Sequence, residues 1–265
     1  MVQLCREGRK QLDLAKFNED GYIVVNSSDM DSLKNLKNLI FEKCKELFPS
    51  DFSDSETFFN EFHKIEISDI DLNNQRLKLI DYCTHQISTT EYVFNCFKEQ
   101  IVALLGPDIF AQKLSNLMIH RPFDPNKSEP HRDAPLNSYY EITVWIPLVN
   151  CFNSKSMYIL NLEETKKAFA VANDSNKSWN EFEDYILARS NELTVNFGQA
   201  LIFWTGLFHG SRVNQENETR WTMNLRFKNV FSPNGMKDPF GFFKVFNLSP
   251  LTRIALEFEN GSEIK

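Results

Sequence analysis

The chain has 265 residues, of which 42% are hydrophobic, and it carries a formal net charge of −7 at pH 7. This length and hydrophobic content suit a single domain, 1–265, around one core. The acidic balance argues against nucleic acid as a partner, since phosphate binding needs a basic surface. No apolar run approaches the roughly 20 residues of a membrane span, and no signal-peptide stretch is evident, so we expect a cytoplasmic protein without a membrane partner.

The first part of the chain, 1–111, is predicted to be mostly helical support. A short strand is expected after Gly21. A helix is expected over about 33–47, because N-cap residues precede it and Pro49 ends it. A short helix is predicted over 56–64, and one or two longer helices over 72–105.

Beyond Gly106 the sequence changes to short apolar segments separated by Asn, Ser, Pro and Gly, which predict strands. The eight predicted strands are 114–121, 131–133, 141–148, 157–160, 193–195, 200–204, 211–214 and 221–230. Eight short strands are typical of a double-sheet jelly roll. We therefore expect a mainly β core with helical support (α+β): a cupin-like double-stranded β-helix over 112–230, with the N-terminal helices packed on one sheet.

Two further segments and the cysteines complete the predicted organisation. An insertion at 163–187 contains Ser178 followed by Glu181, a capping-box pattern that predicts a helix, and it is placed so that it could cover a pocket. The aromatic-rich extension 231–265 is too apolar for a free linker, so it should pack back on the barrel or against a second copy in a homodimer. The five cysteines are widely spaced without C-x-x-C, which predicts free, mostly buried thiols: Cys5, Cys44, Cys83, Cys96 and Cys151.

One histidine and one aspartate, His131 and Asp133, lie two residues apart between Pro130 and Pro135. Proline disfavours a helix, and on an extended strand residues two apart project from the same face. Two histidines and one carboxylate suit Fe(II) and leave coordination positions open. An H-x-D pattern alone is common by chance, but a second histidine, His209, follows an apolar strand further along the chain.

The segment after His209 alternates without a break between polar and apolar residues, which predicts a half-buried strand. The polar face carries Arg220, Thr222, Asn224, Arg226 and Lys228, and the apolar face carries Trp221, Met223, Leu225 and Phe227.

At these motifs the chain resembles the Fe(II)- and 2-oxoglutarate-dependent oxygenases, specifically the branch similar to phytanoyl-CoA hydroxylase. The resemblance lies in short motifs: Phe17–Val25, Glu129–Asp133, Asn196–Trp204, Phe208–Ser211 and Arg220. The stretch from Asn214 to Arg226 also looks like members that accompany surface-carbohydrate biosynthesis. The resemblance implies a jelly-roll enzyme that uses Fe(II), 2-oxoglutarate and O2.

The resemblance also implies residue roles. His131, Asp133 and His209 would bind iron at the catalytic centre, and the planar fork of Arg220 would pair with the distal carboxylate of 2-oxoglutarate. By strand alternation, Ser211 and Thr222 would add hydrogen bonds to this cosubstrate. In this family an aspartate at the ligand position, instead of Gly or Ala, favours hydroxylation or desaturation over halogenation.

Four further residues are candidates for contact with the substrate. Asn224 and Arg226 continue the face of Arg220, and a buried Arg226 must find an anion, so we expect it to bind a phosphate or carboxylate of the substrate. A surface salt bridge is the alternative. Trp145 is expected to border the cosubstrate, and His120 ends a strand predicted to neighbour the H-x-D segment, although a packing role suits it too.

The expected activity is hydroxylation of a small polar metabolite, with a sugar or sugar-derived group as the candidate, coupled to decarboxylation of 2-oxoglutarate to succinate. One segment departs from the resemblance: 153–162 replaces a glycine-rich turn, so the rim of the substrate pocket should be remodelled. The alternatives are a non-oxidative metal-binding jelly roll (a cupin-type isomerase or a carbohydrate-binding module) and a protein hydroxylase. Arg220 discriminates against the first, because an isomerase needs no 2-oxoglutarate anchor.

Overall fold

A computed structural model describes residues 14–174 and 176–262 of the chain. The strands in this part are β1 (Tyr22–Asn26), β2 (Ile109–Gln112), β3 (Asn116–His120), β4 (Glu141–Pro147), β5 (Met157–Ile159), β6 (Asn191–Glu192), β7 (Gln199–Trp204), β8 (His209–Ser211), β9 (Arg220–Asn229) and β10 (Phe243–Asn247). The helices are α1 (Leu14–Asp20), α2 (Met30–Leu47), α3 (Ser55–Glu61), α4 (Asp69–His85), α5 (Thr89–Cys96), α6 (Lys98–Leu105), α7 (Leu162–Ala172), α8 (Trp179–Arg189), α9 (Pro239–Phe242) and α10 (Pro250–Ser262).

The strands form two antiparallel sheets. The large sheet has the order β1-β7-β4-β9-β2-β10, with β3 also paired to β9, and the small sheet has the order β6-β5-β8. The predicted α+β fold with a jelly-roll core is thereby confirmed.

The central strand β9 joins the core to the site because its alternate residues face opposite ways. Trp221 is fully buried against the rings of Phe59 and Phe62, with centroid distances of 5.0 Å to each. Phe227 meets Phe94 of α5 at 6.2 Å. The N-terminal helices therefore cover the outer face of the large sheet, as the sequence predicts, and the polar face of β9 is left to line the interior between the sheets.

The helices of the first part differ from prediction in one detail. The segment predicted as one or two helices over 72–105 contains three, α4, α5 and α6. Ser88, with a left-handed backbone of φ 48°, lies just before α5, and Phe97, whose backbone is not helical, separates α5 from α6. The N-caps follow the sequence signals: the side chain of Asp29 accepts from the Ser32 N–H at the start of α2, and Ser68 accepts from the Asp71 N–H at the start of α4.

The extension at 231–265 contains a strand that the sequence analysis did not identify. β10 pairs with β2 at the edge of the large sheet, Phe243 is buried, and Phe246 packs on Phe94 at a centroid distance of 5.0 Å. The expectation that this segment packs back on the barrel is confirmed for its β10 portion, and the homodimer stays a prediction.

The insertion forms α7 and α8, and the capping box of Ser178 and Glu181 is present. These helices pack on the outer face of the small sheet, where Phe182 and Ile186 contact the cluster around Tyr158 and Phe208. The insertion thus seals the back of the small sheet, and no described residue of it lines the metal pocket described below. A role of the insertion as a cover of the pocket stays a prediction.

Two smaller expectations can also be compared with the described residues. Cys44, Cys83, Cys96 and Cys151 are free and buried, and Cys5 lies outside the described residues. None of the described helices is long and apolar enough to cross a membrane.

Candidate active site

Three potential metal ligands meet where the two sheets face each other. His131 pairs with His209 through two backbone hydrogen bonds of 3.0 Å, one in each direction, and the Ala134 N–H donates to the Thr205 carbonyl. Instead of the predicted strand over 131–133, His131 forms an isolated bridge with His209, and the chain bends at Asp133. The ligand atoms of His131, Asp133 and His209 all lie within 4.8 Å of one another.

Gly210 allows this close pairing next to His209. A Cβ at position 210 would lie 2.6 Å from the Ser128 carbonyl oxygen and would also collide with the Tyr158 hydroxyl. Real Cβ atoms do not approach other heavy atoms so closely, so a larger residue would displace the chain beside the second histidine ligand. These close contacts explain on steric grounds why a glycine follows His209.

Both imidazoles are oriented by backbone carbonyls. His131 Nδ1 lies 2.8 Å from the Glu129 carbonyl oxygen, and His209 Nδ1 lies 3.0 Å from that of Leu207. Because a carbonyl only accepts, each Nδ1 carries the hydrogen and each Nε2 keeps its lone pair for a metal. Burial lowers the pKa of His209 to about 4, so its imidazole is neutral at physiological pH, which is the form that binds metals.

Asp133, the candidate carboxylate ligand, is held by an arginine. Arg226 donates from its terminal NH2 group to Asp133 Oδ1 at 2.6 Å and from Nε to Oδ2 at 3.2 Å, and the Thr143 hydroxyl donates to Oδ2 at 3.3 Å. Burial alone would raise the pKa of Asp133, but the charge of Arg226 and its hydrogen bonds outweigh burial and lower it. The candidate ligand set is thus two imidazoles that each present Nε2 and one ionised carboxylate, which fits a non-haem Fe(II) site with open positions.

Arg220 is a buried cation in the same pocket. The residue is 5% exposed, and its guanidinium donates to the Ser156 carbonyl at 2.9 Å. Its Nε has no partner, and no described carboxylate pairs with it. Burial lowers its pKa to about 10, which still leaves it charged at pH 7. A buried charge without a counter-ion is costly, so the pocket fits a bound carboxylate.

Hydrogen-bonding groups without protein partners surround Arg220. The buried Thr222 Oγ1, Asn224 Oδ1 and Ser156 Oγ have no partner. Ser211 Oγ accepts from the Ser128 N–H at 2.9 Å, which leaves its own O–H free to donate. This is the environment expected where a polar ligand completes the hydrogen bonds.

The structure brings nearly all of the predicted site residues to one pocket of about 160 Å³. The predicted residues in its lining are His120, His131, Trp145, His209, Ser211, Arg220, Thr222, Asn224 and Arg226. Asp133 is attached to this lining through Arg226. Their roles as ligands of metal, cosubstrate or substrate stay predictions.

Sequence reasoning missed several lining residues, and only some of them carried a signal. Asn116 and Met118 alternate with His120 on β3 and could have been found from strand periodicity. Met157 lies in the departing 153–162 segment, whose Ser156 carbonyl binds Arg220. Ser128 and Phe203 carried no distinguishing pattern.

Comparison with known proteins was made at the levels of sequence and structure. No family model and no curated protein matches the sequence. SnoK, a non-haem α-ketoglutarate-dependent carbocyclase from nogalamycin biosynthesis, aligns with a TM-score of 0.55 and 12% identity over 89% of this chain and 90% of that chain. EctD from S. alaskensis aligns with a TM-score of 0.55 and 14% identity over 87% of this chain and 82% of that chain.

A third solved structure contains both ligands that the resemblance implies. CytC3 with Fe(II) and α-ketoglutarate, another name for 2-oxoglutarate, aligns with a TM-score of 0.50 and 14% identity over 82% of this chain and 76% of that chain. The branch similar to phytanoyl-CoA hydroxylase stays a prediction. The fold of this chain is therefore that of the non-haem, 2-oxoglutarate-dependent enzymes exemplified by SnoK.

Proposed function

We propose that the protein is an Fe(II)- and 2-oxoglutarate-dependent dioxygenase that hydroxylates a small polar metabolite, with a sugar or sugar-derived group as the candidate. The observation that carries the proposal is the buried, unpaired Arg220 in the same pocket as His131, Asp133 and His209. A metal triad alone is compatible with many activities, but a triad facing an unneutralised buried guanidinium suits a metal-chelating dicarboxylate.

The chain's residues have separable tasks in this reaction. The overall reaction consumes 2-oxoglutarate, O2 and a C–H bond, and it yields succinate, CO2 and an alcohol. When bound, Fe(II) supplies the activation of O2. The imidazole Nε2 atoms of His131 and His209 and one oxygen of Asp133 would hold the ion. Arg220 would orient the distal carboxylate of 2-oxoglutarate, with Ser211 and Thr222 donating to the same group.

The arrangement disfavours the non-oxidative alternatives. A cupin-type isomerase or a carbohydrate-binding module would have no use for a buried arginine aimed at an acidic cosubstrate, and leaving that charge unpaired would cost stability. The pocket lining includes one aromatic ring, that of Trp145, and the hydrogen-bonding side chains of Asn224 and Thr222. This combination supports a polar substrate.

The proposal is tested by measuring succinate. We expect the purified protein with Fe(II), ascorbate and 2-oxoglutarate to form succinate slowly without substrate and faster with a substrate from a panel of polar metabolites. The His131→Ala variant should reduce the rate to that of Fe(II) in buffer, because it removes one ligand. No Fe(II)-dependent consumption of 2-oxoglutarate across the panel would contradict the proposal.

Arg226 provides a second test, because its guanidinium contacts Asp133. We expect Arg226→Lys to weaken the binding of Co(II), measured by calorimetry without O2, about 10-fold, since partners that orient metal ligands typically contribute 10- to 100-fold. A lysine keeps the charge but cannot make the two-point contact. Thr143→Val, which removes only the 3.3 Å hydrogen bond to Asp133, should have a smaller effect. Unchanged Co(II) affinity with a raised substrate KM would instead assign Arg226 to the substrate.

A further inference from the structure

A second cavity adjoins the metal pocket and is large enough for a ligand. It has a volume of about 440 Å³, and Met118, His120 and Ser128 line both cavities. Ligand sites commonly span roughly 300–1,000 Å³, so the metal pocket, at about 160 Å³, is small for a cosubstrate and a substrate together. We call this second cavity the α4 cleft.

One wall of the α4 cleft is a single face of helix α4. Asp69, Leu72, Asn73 and Arg76 occupy positions i, i+3, i+4 and i+7, which puts them on one side of the helix, and all four line the cleft. The opposite wall is the chain from Asp124 to Ser128, directly before the metal-binding segment. The cleft thus runs from the helical layer to the metal pocket.

Four charged side chains line the cleft, and two of them form ion pairs: Asp69 with Arg121, and Lys127 with Glu183. Asp124 is satisfied by neutral donors, since it accepts from the Asn126 backbone and side chain at 2.9 Å. Arg76 is the cation of the cleft that has no carboxylate partner among the described residues.

Arg76 hydrogen-bonds only to neutral groups. It donates to the Leu117 carbonyl at 2.9 Å and to Asn73 Oδ1 at 2.9 and 3.3 Å, and no described carboxylate pairs with it. A guanidinium has five N–H donors, so two of them stay free. Arg76 therefore gives the cleft a positive charge with unused hydrogen-bond donors.

An independent observation lies at the junction of the two cavities. His120 is 8% exposed, neither of its ring nitrogens has a hydrogen-bond partner among the described residues, and Nδ1 is buried. Burial, Arg220 and Arg76 lower its pKa to about 3, so the ring is neutral. A buried imidazole without partners costs free energy unless a ligand supplies them.

We propose that the α4 cleft binds the distal, anionic end of an extended substrate, a carboxylate or a phosphate ester, through Arg76, while the reacting end passes His120 into the metal pocket. The assignment of this ligand as the substrate rests on the proposed function. His120 hydrogen-bonds the middle of the molecule, and Arg220 stays reserved for the cosubstrate. The substrate is therefore longer than the metal pocket and carries a negative charge at the end remote from the oxidised carbon.

The test uses three probes of similar size: phenyl phosphate, phenylacetate and uncharged benzyl alcohol. Their binding to the full chain loaded with Ni(II) and 2-oxoglutarate is measured by calorimetry. We expect at least one anion to bind about 10-fold or more tightly than the alcohol, and the better anion distinguishes a phosphate ester from a carboxylate. The proposal is overturned if neither anion binds more tightly than the alcohol, or if raising the 2-oxoglutarate concentration displaces the bound anion, since it would then occupy the Arg220 site.

Variants assign the binding to Arg76. Arg76→Gln should weaken the preferred anion about 10-fold, and Asn73→Asp should do the same by placing a carboxylate beside Arg76, without removing the bond from Arg76 to Leu117. Arg253→Gln is the matched control, because Arg253 also donates to a backbone carbonyl but does not line the cleft. Unchanged anion affinity in Asn73→Asp and Arg76→Gln would overturn the proposal.

The anion-binding experiment tests the α4 cleft independently of the proposed oxygenase activity. The binding assay needs no turnover, and the substrate-independent formation of succinate is measured separately on the wild type. Succinate formation without Arg76-dependent anion binding would overturn the cleft proposal alone. Arg76-dependent anion binding without any succinate formation would support the cleft site and contradict only the proposed oxygenase activity.

Discussion

The Asp133→Asn variant is expected to lose Fe(II)-dependent succinate formation entirely and to bind Co(II) at least about 100-fold more weakly than the wild type. Loss of an oriented neighbour of a metal ligand already costs 10- to 100-fold, and here the ligand's own charge is removed. The amide also leaves Arg226 without an ionised partner, which should lower the free energy of unfolding of the metal-free protein by about 3 kcal/mol. Calorimetry with Co(II) and thermal denaturation measure the two effects separately.

The matched control is Asp69→Asn, which breaks the ion pair with Arg121 at a position where Asp69 is 77% exposed. An exposed pair contributes at most about 1 kcal/mol, so its stability and Co(II) affinity should stay close to those of the wild type. If Asp133→Asn kept full Co(II) affinity, Asp133 would not be a metal ligand, and the site would have to be assigned anew.

Replacement of Arg220 by lysine is expected to raise the KM for 2-oxoglutarate about 10- to 100-fold. Hydrogen bonds to charged groups contribute about 1.5–3 kcal/mol, and each 1.4 kcal/mol corresponds to a factor of ten. Lysine preserves the charge but lacks the planar fork that pairs with both oxygens of a carboxylate. The KM is measured from succinate formation at varied 2-oxoglutarate, and Co(II) affinity should not change.

Two further variants are compared with Arg220→Lys. Arg220→Gln removes the charge and should have a larger effect on the KM than lysine. Arg212→Lys is the control, because Arg212 pairs with Glu192 and is not among the residues that line the metal pocket. A KM for 2-oxoglutarate that is unaffected by Arg220→Lys would contradict the cosubstrate role and return the non-oxidative jelly roll to consideration.

The sequence predicted the parts of the fold that depend on local periodicity. The alternation along β9 placed Arg220 inside and Trp221 outside, because side chains on a strand follow a period of two. The prolines around His131 and Asp133 similarly excluded a helix. These local signals placed His131 and Arg220 toward the pocket, whereas their roles as metal ligand and cosubstrate anchor came from the family resemblance and stay predictions.

The parts that were missed depend on contacts between distant segments. β10 is a strand because β2 offers a free edge, and nothing in the sequence of 243–247 shows that edge. The insertion at 163–187 has correctly predicted helices, but its position behind the small sheet follows from the apolar residues around Tyr158 and Phe208. The anion partner of Arg226 could not be predicted either, because Asp133 belongs to a segment far away in the chain.

The two faces of β9 have a consequence for how this protein can diverge. Arg220 and the buried Trp221 are neighbours on one rigid strand, so a substitution that repacks the aromatic cluster under Trp221 also moves the guanidinium on the other side. We therefore expect changes on the two faces of β9 to be coupled. Helix α4 and the chain before Ser128 lie outside that strand, so we expect substitutions in the α4 cleft to disturb Arg220 less.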